Sequence, residues 1–71
     1  MNSIASKVHD LSYQLAHLTG LPAHTWCDTL CQSMHPKPMQ VPPHDWGTYL
    51  IFADGSQLQY DESGIEFYDP S

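Results

Sequence analysis

Seventy-one residues with eight acids, two bases and a formal net charge of −6 describe one small acidic domain. Such a chain lacks the cations that neutralise nucleic-acid phosphates, and no apolar run approaches the roughly 20 residues of a membrane span. A hydrophobic content of 41% with only 14% charged residues excludes a disordered chain, and a core this small needs good packing or a partner.

The N-terminus has no apolar stretch of the signal-peptide kind, and two cysteines make no disulfide framework. The expectation is a cytoplasmic protein with reduced thiols. A first helix is predicted from about Ser3 to Thr19, because Ile4, Val8, Leu11, Leu15 and Leu18 recur at steps of four and three. Asn2 or Ser3 can cap its start, and Gly20 stands where a left-handed residue would end it. Pro22 fits the first turn of a second helix running to about Met34, with Trp26, Cys27, Leu30, Cys31 and Met34 on its apolar side.

Between them, residues 15–30 resemble the core of a helix-turn-helix. Ala16, Gly20, Leu21, Trp26 and Leu30 occupy the slots for a small packing residue, a turn glycine and apolar anchors. The resemblance spans about twenty residues, and any tight helical hairpin asks for the same residue types. The second helix would present His24, Thr25, Asp28 and Thr29 to a groove and no Arg or Lys, so the motif reads as scaffold.

Pro36, Pro38, Pro42 and Pro43 then form a stiff connector over residues 36–45. Asp54-Gly55 signals a two-residue hairpin that would set Ile51 opposite Leu58 and Tyr49 opposite Tyr60. A second reversal at Glu62-Ser63 sets Tyr60 opposite Ile65 and Leu58 opposite Phe67. One face would collect Tyr49, Ile51, Ala53, Leu58, Tyr60, Ile65 and Phe67. The other would collect Thr48, Leu50, Phe52, Gln57, Gln59, Asp61, Glu66 and Tyr68. The expected architecture is α+β: two N-terminal helices (1–35) packed on one face of a three-stranded antiparallel meander (strands 46–53, 56–61 and 64–68, within 46–69).

Chemistry is thinly represented. His24, Cys27, Cys31 and His35 have a zinc-like order, but on one helix the two histidines would stand about 16 Å apart. Cys27 and Cys31 read as small buried hydrophobes, with a metal site completed by His44 as the alternative. Nothing pairs a nucleophile with a base, and His44-Asp45 alone makes no catalytic group. The expectation is a non-enzyme without cofactor.

Charge distribution carries the functional expectation. Residues 38–71 hold Asp45, Asp54, Asp61, Glu62, Glu66 and Asp69 and no Lys or Arg. An acidic sheet face of this kind attracts a basic protein surface and repels nucleic acid. Trp46, Leu50, Phe52 and Tyr68 are expected to anchor the contact, with Asp54, Asp61, Glu62, Glu66 and Asp69 around them. In size and charge alone the chain is similar to small acidic phage proteins that block restriction or CRISPR machinery by occupying nucleic-acid grooves. The alternatives are a self-associating structural or regulatory subunit, with a homodimer expected, and a metal-dependent module using Cys27 and Cys31.

Overall fold

The computed structural model describes residues 3–41 and 47–70. Helices α1 (Ile4–Thr19) and α2 (Ala23–Ser33) precede strands β1 (Met39–Gln40), β2 (Thr48–Ile51), β3 (Gln57–Asp61) and β4 (Gly64–Tyr68). The strands form one antiparallel sheet in the order β1-β2-β3-β4. The fold is α+β, with a fourth strand, β1, inside the stretch expected to form only a stiff connector. Met39 pairs with Ile51 and Gln40 with Leu50, and the Val41 N–H donates to Tyr49 O at 3.0 Å just beyond them, while Pro38 on the other side cannot donate to a ladder.

α1 begins at Ser3, whose side chain accepts from the Ser6 N–H. The next two free donors are satisfied from across the molecule. Ile4 N–H donates to Asp54 at 2.9 Å, and Ala5 N–H donates to the Ser56 hydroxyl at 3.0 Å. Gly20 ends the helix at φ 78, and its N–H donates to Ala16 O. Pro22 precedes α2 as its cap residue, and the Trp26 indole N–H donates across the turn to Thr19 at 2.8 Å. Beyond α2 the His35–Pro36 peptide bond is cis.

The buried side of α1 is a stripe of small residues. Ala5, Val8 and Ser12 face the core, while Leu11 and Leu18, expected inside, lie in solvent. Small side chains let α1 approach α2 closely, and Cys27 and Cys31 fill the contact. Ser12, fully buried, satisfies its hydroxyl by donating to Val8 O at 2.7 Å. Leu21, cast as an anchor by the helix-turn-helix resemblance, is 49% exposed.

The second hairpin has the expected register, with Tyr60 opposite Ile65 and Leu58 opposite Phe67. The first is shifted by one residue. Leu50 pairs with Leu58 and Tyr49 with Gln59, so every β2 side chain faces opposite to expectation. The cause is the loop, which holds three residues rather than two. Phe52 and Ser56 close it, Gly55 N–H donates to Phe52 O at 3.0 Å, and Gly55 takes φ 87. This longer loop turns the Ser56 hydroxyl inward and puts Asp54 against the start of α1. Leu50, Phe52, Leu58, Tyr60 and Ile65 therefore form the sheet side of the core. At the start of β2, Gly47 has φ 74, and a Cβ there would meet Tyr60 O at 2.6 Å, so only glycine fits.

Ser56→Ala would leave the Ala5 N–H buried without its acceptor, at a cost of about 1–3 kcal/mol. The thermal midpoint should fall by roughly 5–20 °C. Asp54 adds a pH signature. The Ser56 hydroxyl, then the Ile4 N–H, hold its carboxyl below the ordinary carboxylate range. Its contribution is therefore present above about pH 4 and lost as pH falls toward the folded pKa. Thermal melts should show Asp54→Asn less stable than wild type near neutrality, with the gap closing on acidification below about pH 4.

Candidate functional site

Both helices pack on one side of the sheet, through Leu58, Tyr60, Ile65 and the half-buried Phe67. No helix among the described residues packs on the other side. Register places two cross-strand rows there. One runs Met39, Ile51, Gln57, Tyr68, and the other runs Tyr49, Gln59, Glu66. Asp61 follows at the end of β3, with Glu62 exposed in the turn beyond. Met39 is 66% and Tyr68 45% exposed, while Tyr49, Ile51, Gln57 and Gln59 are half-buried by their neighbours.

This face is locally ordered by its own side chains. Tyr49 O–H donates to Gln57, and Tyr68 O–H donates to Glu66 at 2.8 Å. Holding that bond to a carboxylate pushes the Tyr68 phenol above its ordinary value. Asp61 accepts from the Ser63 hydroxyl at 2.5 Å and the Ser63 N–H at 2.8 Å. These bonds hold its carboxyl below the ordinary range, so it stays charged to lower pH than a free aspartate.

The residues expected to bind a partner thus divide. Glu66 and Tyr68 lie on the open face, and Asp61 and Glu62 lie at its turn end, beside Tyr13 and His24 of the helical layer. Leu50 and Phe52 are 5% and 4% exposed and belong to the core, because the shifted register turned them inward. Asp54 and Asp69 serve the start of α1, Asp54 by accepting from Ile4 and Asp69 by accepting from the Ser3 hydroxyl. Trp46, like His44 and Asp45, lies outside the described residues. Sequence reasoning missed Met39, Tyr49 and Ile51, the apolar part of the face. The signal for Tyr49 and Ile51 was their alternation with Leu50 and Phe52, read in the opposite phase.

On the inner side, the Tyr60 O–H donates to Asp28 on α2 at 3.0 Å. Burial, then this bond, pushes its phenol well above the ordinary value. Asp28 and Tyr60 also line a polar cleft of about 310 Å³ with Gln32, Lys37, Gln40 and Thr48. Cys27 and Cys31 are free thiols, 0% and 3% exposed. The hydrogen bond with Cys31, together with burial, pushes the Cys27 thiol up, the reverse of what activates a nucleophile. Among the described residues no three of His, Cys, Asp and Glu are grouped as metal ligands, and no helix is long and apolar enough to cross a membrane.

Comparison with known proteins found no matching family model, no matching curated protein and no matching solved structure.

Cys27 should resist an aromatic disulfide reagent in the native protein and react once denatured, and Cys31, which lines the cleft and whose thiol the bond with Cys27 pushes down, should be the first of the two to react. Titration of native protein at neutral pH checks this. Prompt reaction of Cys27 without denaturant would contradict its enclosure between α1 and α2.

Proposed function

We propose that this chain is a non-enzymatic interaction protein of the cytoplasm, whose open sheet face docks on a basic surface of another protein. The observation that carries the reading is the composition of that face. Met39, Tyr49, Ile51 and Tyr68 supply apolar and aromatic area beside Asp61, Glu62 and Glu66, and residues 38–71 contain no Lys or Arg. Interfaces combine such groups: charge steers the encounter, and a few desolvated aromatic side chains hold the complex.

A surface that otherwise holds nucleic-acid phosphates is the partner class this chemistry fits best. Carboxylates on a rigid sheet can occupy positions evolved for phosphate oxygens, and the result would be inhibition by occupancy. The hydrogen-bonded turn at Asp61 and the Tyr68–Glu66 pair support this, because charges already held in place lose little freedom on binding.

The test is affinity capture from nuclease-treated lysate by wild type and by a D61N/E62Q/E66Q variant. Wild type should retain a basic protein at about 50 mM salt and release it by about 500 mM. The variant should bind the recovered partner at least about tenfold more weakly. Tyr68→Ala should weaken binding with little change in salt dependence, since it removes area rather than charge. Undiminished binding by the triple variant would sink the acidic-face reading.

A further inference from the structure

On the helical layer, the C-terminal half of α1 presents large apolar side chains to solvent. Leu18 is 79% exposed, Leu21 49% and Leu11 42%, and Leu15 is half-buried between them. Positions 11, 15 and 18 share one flank of a helix. Tyr13, Gln14, His17 and Leu18 line an open groove around the adjoining flank. The whole stretch from Leu11 to Cys27 contains no Asp, Glu, Lys or Arg. Isolated exposed leucines are ordinary, but a run of them on an uncharged surface marks a contact region.

We infer that this flank of α1 docks a second copy of the same chain, helix against antiparallel helix. Charge selects the occupant. Two molecules of net charge −6 repel each other, and they approach at less cost through the leucine flank, which Lys7 and Asp10 border only at its Leu11 end, than through the acidic sheet. A basic partner finds no attraction here, and its attraction lies on the sheet. Symmetry supplies the second argument. A two-fold contact needs a patch that is complementary to itself. An axis passing between Gln14 and Leu15 sets Leu11 of each copy against Leu18 of the other, with both Leu15 side chains beside the axis. Gln14 and His17, both exposed, then border the contact with uncharged or weakly basic groups.

The core gives a reason for the arrangement. Because Ala5, Val8 and Ser12 form the packed side of α1, its leucines are displaced onto the flank, and the chain buries little of them by itself. A contact built on a few leucines from each copy is small for a specific interface, so association should be weak, with a dissociation constant on the order of tens of micromolar.

The experiment is sedimentation velocity on the full chain from about 5 to about 500 μM, bracketing that range. Wild type should move from a mass of 8.0 kDa toward twice that value as concentration rises. Association should strengthen with added salt, because screening relieves the net repulsion. This is opposite to the salt response of the acidic face, so the two contacts are told apart in one buffer series. Leu18→Lys should remain monomeric at every concentration, with circular dichroism and melting midpoint unchanged because the side chain is already in solvent. An L11E/L18K double variant should associate more than Leu18→Lys but less than wild type, since antiparallel pairing brings each new acid against a new base while two leucines are lost. A dimer that survives Leu18→Lys overturns the proposal, as does a double variant no better than Leu18→Lys. A monomeric wild type at all concentrations also overturns it, and co-flotation with neutral phosphatidylcholine vesicles would then assign the leucines to a lipid surface.

Discussion

The start of α1 is where the fold is tied together. A helix leaves its first backbone N–H groups unpaired, and here they are met by side chains distant in sequence. Ser3 serves Ser6, Asp54 serves Ile4, and the fully buried Ser56 serves Ala5. Asp69, just past the last strand, accepts from the Ser3 hydroxyl. The negative carboxylates of Asp54 and Asp69 also stand at the positive end of the helix dipole. Helical layer and sheet are thus joined by directional bonds as well as by apolar contact. Among the described residues no buried side-chain nitrogen or oxygen is left without a partner.

That junction explains which parts of the fold were legible in the sequence. The helices and the β3–β4 hairpin were readable because their patterns allow one answer: Gly20 ends α1, and the alternation of Ile65, Glu66, Phe67 and Tyr68 separates inside from outside. β2 was not. Tyr49, Leu50, Ile51, Phe52 and Ala53 are all apolar, so alternation cannot choose a phase, and loop length decides. The loop is closed locally by Asp54, which accepts from the Ser56 N–H and hydroxyl, and is held by the reach of both residues to α1, a tertiary demand. The same demand split the expected acidic site. Asp54 and Asp69 went to the helix, while Glu62, Glu66 and Tyr68 kept the outward positions that their well-determined hairpin assigned them.

The leucine stripe of α1 teaches a related lesson. Periodicity finds a helix, yet it does not say which of two neighbouring stripes is buried. Here the serine and alanine stripe wins, because close contact with α2 rewards small side chains, and Ser12 hides its hydroxyl against its own helix. β1 escaped notice for a different reason: a strand of two residues directly after Pro38 is too short to show any period. The Tyr60–Asp28 bond, joining β3 to α2, was likewise invisible before the register was known.

The Ser3–Asp69 bond also brings the first and last described turns of the chain to the same pole. Ser3 and Asp69 therefore both lie beside the beginning of α1. Leu18 lies fifteen residues along that helix, roughly 20 Å away at the usual rise. A fusion partner, label or neighbouring domain at either end would therefore crowd one pole and leave the far half of α1 accessible. Bulky groups placed at Ser3 and at Asp69 would compete with each other for space before they compete with anything docked at Leu18.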